Sequence, residues 1–560
     1  MHGSNKAPLT AAQALVEQLV LNGVQHVFCV PGESYLPVLD ALYDRPEIQV
    51  TVCRQEGGAA MMAEAVGRAT GRPGVCFVTR GPGVTNAALG IYIAQQDCTP
   101  MILFCGQVDR RIRDREAWQE IALSAVFGSM TKWSTDIDRG ERMDEYISRA
   151  FHTAAAGRPG PVVLGLPRDM LDDLAGPVAS QPVSPLETSP GPEDLAALQD
   201  LIEAAANPLV IVGGSRWDEA AYAAMHRFAE RFELPVATSY RRASLFDPEH
   251  RCFAGDLGLG ANPKLIARVK AADLLILAGG RLGEVASQSY GLLEIPTPKT
   301  KLVHIHPGAE EIGRVYQPHL AIHASPTRFA PALAALEPHG ARDPSAAETA
   351  HDDYLAWTQA ATPQPGGVNL GEVMVWLREH LPPETMLCNG AGAYAAFIHR
   401  FYRFRRLGVH MAPAVAAMGY GVPAAVAMKR LYPERPVLCV AGDGDFLMNG
   451  QEFATAVQYG LPFVTLVADN ASYGSIRMQQ EMHFPGRVSA TDLVNPDFAA
   501  YARAFGGFGA TVERTEDFAE AYRAAEASGL PAILHLKIDT DAMTPGASLG
   551  QLRERALAKG

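Results

Sequence analysis

Positive charge is scarce in this chain of 560 residues: 48 Lys and Arg stand against 61 Asp and Glu, a formal net charge of −13. No cluster of Lys or Arg reverses that balance locally, which argues against a nucleic-acid or anionic-membrane partner. Long hydrophobic runs are missing too. No apolar stretch approaches a membrane span, and Met1 to Thr10 is polar without the apolar core of a signal peptide. Cysteine is sparse, eight residues with no CxxC pair. Cys29, Cys76, Cys105 and Cys439 sit inside apolar strands, where a small buried hydrophobe is expected, and a reducing cytoplasm fits. There is no internal repeat and no full G-x-G-x-x-G with an acidic partner. What is present, 48% hydrophobic and 19% charged residues, describes a soluble globular protein of about three domains.

Short β-branched runs alternate with amphipathic, alanine-rich stretches throughout, the α/β pattern of parallel sheets. In the first part His26 to Val30, Ile48 to Cys53, Val75 to Thr79 and Met101 to Gly106 read as strands, with Leu9 to Asn22 and Glu56 to Thr70 as helices. Pro- and Ser-rich residues 177–192 mark a boundary. The middle region carries three strand-then-glycine turns, at Gly213-Gly214, Gly279-Gly280 and Pro307-Gly308. A polar linker at about 341–367 leads to the last domain. The divisions expected are 1–176, 193–340 and 366–545.

Chemistry concentrates in the last of these. An apolar strand, Val437 to Ala441, runs into Gly442-Asp443-Gly444, and a second, Phe463 to Ala468, ends on Asp469-Asn470. Glycines flanking an acid at a strand end let the backbone approach a phosphate. Asp443 and Asn470, 27 residues apart, supply the oxygen ligands a hard divalent cation takes beside phosphate. The plain alternative is an acidic strand-to-helix turn. In the first domain Glu56 stands between an apolar strand and a small-residue helix (Gln55-Glu-Gly-Gly-Ala-Ala60); read alone it is a helix N-terminal charge.

With these segments, Val30-Pro-Gly32, Thr79-Arg-Gly-Pro-Gly-Val-Thr-Asn86, Gly106-Gln-Val108, Trp118-Gln-Glu120, Thr131-Lys132 and Met418-Gly-Tyr-Gly-Val-Pro-Ala-Ala425, the chain resembles the large catalytic subunits of acetolactate synthase. These belong to the thiamin diphosphate (ThDP)-dependent 2-oxo acid decarboxylases and carboligases. The likeness runs over nearly all residues. It implies an α/β fold of three doubly wound parallel-sheet domains: pyrimidine-binding, central nucleotide-fold-like and diphosphate-binding. It implies ThDP and Mg²⁺, a small-molecule 2-oxo acid substrate, decarboxylation with carboligation, and a homodimer or homotetramer whose active sites are shared between subunits. Asp443, Asn470 and Ser472, the last by its carbonyl, take the places of Mg²⁺ ligands. Gly442 and the backbone of Gly444, Asp445 and Phe446 would meet the diphosphate, with Gly392, Ala393 and Tyr394 on its other side. Glu56 takes the place of the cofactor-activating glutamate. Gly32, Pro82 and Asn86 fall on the pyrimidine side, and Ala416 would accept the 4′-amino hydrogen. Met418 would wedge between the cofactor's rings, or be a buried core methionine.

Several positions depart from acetolactate synthases. Where those usually have Gly-Ala, this chain has Glu33-Ser34. Glu33 is a candidate general acid/base, or a first-turn helix carboxylate, and it supports non-ligating decarboxylation as the runner-up; C–C lysis of a 2-hydroxyacyl thioester or a diketone is a third option within the superfamily. The pocket-shaping Met and Trp become Ser475 and Gln479, so the acceptor pocket should be more polar. Arg477 could pair with a substrate carboxylate or lie exposed; Gln119 and Lys132 fall near the substrate channel. Acetolactate synthases also bind FAD, largely through the central domain; Gly213-Gly214, Arg281 and the run from His304 to Gly313 fall at matching places, while Arg281-Leu-Gly-Glu284 and His304-Ile-His306 depart from the family's residues there. Two histidines without a third ligand do not make a metal site.

Overall fold

The computed structural model describes residues 8–558, so the polar start up to Ala7 lies outside the described residues. The chain divides into two compact units between Leu186 and Glu187. The first holds one six-stranded sheet: β1 His26–Cys29, β2 Gln49–Val52, β3 Gly74–Val78, β4 Met101–Gln107, β5 Trp133–Asp136 and β6 Pro161–Pro167, in the order β2-β1-β3-β4-β6-β5. All pairings are parallel. The four inner strands β1, β3, β4 and β6 are buried along their whole length, which is why they read as mainly apolar runs, whereas the edge strands β2 and β5 are only partly buried. Tyr35, Phe77 and Phe104 stack in series through the core, with centroids 5.9 and 4.8 Å apart.

The helix Glu56–Thr70 is pressed hard against this sheet. Its N-cap, Gln55, accepts the Gly58 amide at 3.0 Å, and Gly71 closes it at φ +66°. A Cβ on Gly74 would fall 1.8 Å from the Ala63 carbonyl oxygen, and one on Gly90 2.4 Å from Ala60 Cβ. Small residues on this helix therefore fix the approach of its neighbours, and with it the place of Glu56.

The second unit holds two sheets. One comprises β7 Pro208–Val212, β8 Val236–Ser239, β9 Phe253–Leu257, β10 Leu274–Ala278, β11 Lys301–His306 and β12 Leu320–His323, ordered β12-β11-β10-β7-β8-β9. The other comprises β13 Met386–Asn389, β14 His410–Met411, β15 Val437–Gly442, β16 Val464–Asp469, β17 Phe508–Val512 and β18 Ala532–Lys537, ordered β14-β13-β15-β16-β18-β17. The fold is therefore α/β with three doubly wound parallel sheets, as the sequence leads one to expect. In such sheets ligands collect at the carboxyl ends of strands where the order reverses. Those reversals lie between β1 and β3, β7 and β10, and β13 and β15.

One expectation needs correcting. The stretch 341–367 is not linker throughout, because Ser345–Thr358 is a helix. Ala347, Ala350, Tyr354 and Thr358 form its buried face, at helical spacing, and Tyr354 meets the Phe253 ring edge-on at 4.8 Å. All eight cysteines are buried, with no disulfide among the described residues. No described helix is long and apolar enough to cross a membrane.

Candidate functional site

The reversal between β13 and β15 opens onto a cavity of about 310 Å³. Gly392, Ala393 and Tyr394 after β13, Gly442 to Asp445 after β15, and Asn470 and Ser472 after β16 line it, with Ala416 and Met418 from the loop before Gly421–Leu431. Met418 is half-buried and lines the cavity, unlike a core methionine. Phe446 is not on the wall; its ring packs edge-on against Phe498 and Tyr501.

Asp443 ties the site together. Its Oδ1 accepts the Gly444 amide at 2.9 Å, and its Oδ2 accepts the Ser472 amide at 3.2 Å and Asn495 Nδ2 at 2.7 Å. The loop after β16 is thus folded back onto the turn after β15. Ala471, at its apex, adopts a left-handed φ of +52°, a strain of roughly 1–2 kcal/mol for a residue with a Cβ. Asn495 also donates to Asp469 Oδ1 at 2.7 Å, and Asp469 Oδ2 meets His535 Nε2 at 2.7 Å and Lys537 Nζ at 2.9 Å. Burial raises the Asp443 carboxyl above its ordinary range. Burial pushes Asp469 the same way, but hydrogen bonds from His535, Lys537 and Asn495 outweigh it and hold that carboxyl low. One ionised acid buttresses another that has oxygen to spare.

Asp445 has a different task. Its Oδ1 accepts the Gly419 amide at 2.7 Å and the Ala391 amide at 3.4 Å, while Oδ2 accepts the Tyr394 hydroxyl at 2.5 Å. Burial lifts it to about 6 against those bonds. The carboxylate spans three segments of the wall and leaves no room beside it: a Cβ on Gly390 would lie 2.2 Å from Asp445 Oδ1. Tyr394 is consumed by this contact, and its ring closes over Gly392 and Gly442. Ala416 holds φ +55°, its amide bonded to the Pro413 carbonyl at 3.0 Å, so its own carbonyl is fixed in an orientation that ordinary turns do not give.

These residues fit a diphosphate and a divalent cation. Asp443, Asn470 and Ser472 bring hard oxygen donors to one end of the cavity. The Ser472 hydroxyl is buried without a hydrogen-bond partner there. Arg477 is turned aside: its Nε donates to Thr491 Oγ1 at 2.9 Å and its Nη2 to Asp492 Oδ1. Among the described residues lining the cavity there is no Lys, Arg or His. Ser475 lines it, as does the apolar Ile476.

In the first unit, the crevice between β1 and β3 gathers Glu33, Glu56, Pro82, Asn86 and Gln119. Asn86 Nδ2 donates to Glu56 Oε2 at 2.9 Å, and Gly83 passes so close that a Cβ would lie 3.4 Å from Glu56 Oε1. The Gln119 carbonyl, at a left-handed φ of +64°, accepts the Gly81 amide at 3.0 Å. Gly32 abuts Thr79, where a Cβ would lie 2.6 Å from Thr79 Cβ. Ser34 Oγ and Thr79 Oγ1 are 2.9 Å apart, cross-linking the turns after β1 and β3. Glu33 is 66% exposed and 3.5 Å from Arg80 Nη1. Lys132 Nζ donates to the Ala156 carbonyl at 2.5 Å.

The central sheet offers a smaller cavity of about 170 Å³, lined by Arg281, Tyr290, His304, Glu311 and Tyr316 among others. Buried Glu311 meets Arg314 at 2.8 Å and Arg281 at 3.8 Å. The turns after β7 and β10 touch backbone to backbone, a Cβ on Gly214 falling 1.9 Å from the Gly279 carbonyl oxygen. This cavity is smaller than cofactor-sized pockets, which run to about 300–1,000 Å³. His304 Nε2 lies 3.1 Å from the Gly280 carbonyl, and no cluster of three metal-ligating His, Cys, Asp or Glu occurs among the described residues.

Asn495 and His535 carry no motif of their own in the sequence; Asp445 and Arg80 lie within the Gly442–Phe446 turn and the Thr79–Asn86 segment, but nothing in those segments marks the contacts their side chains make.

Comparison with known families gives three matches in chain order. The N-terminal TPP binding domain model of the thiamine pyrophosphate enzymes matches residues 9–126, their central domain model residues 195–333, and their C-terminal TPP binding domain model residues 390–536. The acetolactate synthase large subunit of Parasynechococcus marenigrum (strain WH8102) is 31% identical over 555 residues, 95% of this chain and 88% of that one. The acetolactate synthase of Mycobacterium bovis is 30% identical over 95% of this chain and 89% of its own. The acetolactate synthase isozyme 2 large subunit of Escherichia coli (strain K12) is 29% identical over 98% of this chain and all of its own.

Proposed function

This chain belongs to the thiamine pyrophosphate enzymes, in the acetolactate synthase large subunit-like branch, and from that premise we propose that it decarboxylates a 2-oxo acid and joins the product fragment to a second carbonyl compound. It is a ThDP-dependent carboligase/decarboxylase; the choice of ligation is our reading. Asp443, Asn470 and the Ser472 carbonyl would hold Mg²⁺, and the turn Gly442 to Phe446 the diphosphate. Gly392, Ala393 and Tyr394 would cover the diphosphate's other side. ThDP, when bound, supplies the nucleophilic carbon and the sink for the electrons released with CO₂.

The protein's own share is positioning and proton control. Glu56, steadied by Asn86, would hold a proton against the aminopyrimidine, with Gly32 and Pro82 beside it. Met418 would brace the cofactor from below, and the Ala416 carbonyl would accept from its amino group. Apolar wall residues such as Ile476 and Met543 would keep water from the reacting carbon. Glu33, with Gln119 near it, would move protons on the substrate side. We read the enzyme as a homodimer or homotetramer with shared sites.

The observation that carries the reading is the closure of Ser472 onto Asp443 beside Asn470. The product assay that tests it offers pyruvate, 2-oxobutyrate, glyoxylate and phenylpyruvate, alone and with an aldehyde acceptor, with ThDP and Mg²⁺ supplied or withheld. A cofactor-dependent C–C-joined product is expected. Free aldehyde alone would turn the reading to non-ligating decarboxylation, which the exposed Glu33 favours; silence would direct attention to thioesters and diketones.

A further inference from the structure

A 2-oxo acid brings a carboxylate, and the cavity beside Asp443 has no cationic side chain on its described walls. Arg477, the nearest basic candidate in the sequence, is engaged by Thr491 and Asp492. The first unit does present a cation, beside Glu33. Arg80 sits on the turn after β3, one residue before the helix Gly81–Asn86 whose last residue holds Glu56. Its side chain is 14% exposed, with the Trp118 ring 5.7 Å from its guanidinium carbon and Glu33 at 3.5 Å from Nη1.

The pairing is built into the backbone. Ser34 and Thr79, the neighbours of Glu33 and Arg80, are bonded to each other at 2.9 Å, and Gly106 leaves no space behind Ser34, since a Cβ there would fall 2.1 Å from its Oγ. Residues 33 and 80 are therefore held side by side. Yet the pair is lopsided: the guanidinium is covered while its carboxylate partner is two-thirds exposed and at the outer limit of contact. An ion pair of that kind is weak, whereas a carboxylate on an arginine fork makes a strong, oriented contact. The Arg80 Nε is shielded and has no hydrogen-bond partner, so the two Nη groups are the ones that meet a ligand.

We propose that Arg80 receives the carboxylate of the 2-oxo acid substrate and that Glu33 is the countercharge this carboxylate displaces. The pair thus selects for acids over neutral ketones. This rests on the 2-oxo acid reading above.

The test uses full-length protein carrying E56Q, to prevent turnover, loaded with ThDP and Mg²⁺. Pyruvate and butane-2,3-dione are titrated by calorimetry. Adding R80Q should raise the pyruvate dissociation constant roughly ten- to a hundredfold and leave the dione constant unchanged. R80K, which keeps the charge but not the fork, should fall between. E33Q should tighten pyruvate severalfold, because the competitor is gone; a merely structural role would not give opposite signs for the two residues. ThDP affinity and melting temperature check that each variant is folded, and R80K carries the test if R80Q is not. Equal effects on both ligands, unchanged pyruvate affinity, weaker pyruvate binding in E33Q, or no saturable pyruvate binding by the parent would each overturn the assignment. Wild-type enzyme that turns over 2-oxo acids while R80Q keeps its affinity sinks Arg80 alone; wild-type enzyme inert to every 2-oxo acid sinks the functional reading.

Discussion

Asn86 donates its side-chain amide to Glu56 across 2.9 Å, from the end of one short helix to the first turn of another. A lone carboxylate at a helix start is commonly a solvated cap. One that accepts a side-chain amide from a neighbouring helix is a carboxylate held to a position. Glu56→Gln should lower turnover by about 10²–10⁴-fold with circular dichroism and melting temperature unchanged. Asn86→Ala should lose about tenfold, through poorer placement alone. Near wild-type rates for Glu56→Gln would remove Glu56 from the chemistry.

Metal affinity should depend on a residue that is not a ligand. Asn495 bridges Asp443 and Asp469, 2.7 Å from each. Asn495→Ala should weaken Mg²⁺-dependent ThDP binding about 10–100-fold, and Asp443→Ala should abolish it. Calorimetric titration of ThDP with and without Mg²⁺ reads both. An Asn495 variant with unaltered Mg²⁺ dependence would detach this bridge from the site.

The central sheet should be acid-sensitive. His226 Nδ1 lies 2.7 Å from the Tyr222 carbonyl while its Nε2 accepts the Asp247 amide at 3.0 Å, an arrangement that only the neutral ring satisfies. Its ring stacks on Phe246 at 4.0 Å. Burial pushes His226 and His250 below their ordinary value of 6.5. A histidine whose folded pKa is depressed takes up its proton first in the unfolded chain. The contribution of these two rings to stability is therefore flat above pH 6.5 and lost as pH falls below it. Melting temperatures between pH 8 and pH 5 should show this decline, and His226→Gln should make it shallower. An unchanged slope in that variant would rule His226 out as a source.

Two glycines of the first unit should respond oppositely to alanine. Gly74 has the Ala63 carbonyl oxygen 1.8 Å from where its Cβ would stand, so Gly74→Ala must part β3 from the helix Glu56–Thr70. A loss of several degrees in melting temperature or failure to fold is expected, of the order of overpacking costs, about 1–3 kcal/mol. Gly176 has nothing within 4 Å, and its alanine variant should be neutral or slightly stabilised. Equal melting temperatures for the two would contradict the close helix–strand packing.

What the sequence makes legible follows from the range of the interactions. Gly442-Asp443-Gly444 stands out because glycine flanking an acid at the end of an apolar run is a local pattern, and Glu56 because the strand before it and the small residues after it are local too. Asn495 and His535 have no such frame. They reach Asp469 from 26 and 66 residues away, and no spacing rule connects them. The helix Ser345–Thr358 hides because its buried face is Ala, Ala, Tyr and Thr between Pro- and Gly-rich flanks, so composition speaks for a linker where packing makes a helix. Arg477 illustrates the converse: its type suggests a substrate contact, and only the fold reveals that Asp492 takes it.

The buried thiols give this protein an internal set of clocks. Burial pushes Cys29 up to about 11 and Cys252 up to about 12, so neither presents a reactive thiolate at neutral pH while its domain stays shut. Cys29, Cys53, Cys76, Cys98 and Cys105 belong to the first unit; Cys252 immediately precedes β9 of the second sheet, and Cys388 and Cys439 lie in β13 and β15 of the third. Each sheet thus carries its own label, and the order in which a small alkylating reagent marks peptides over time would record the order in which the three sheets open.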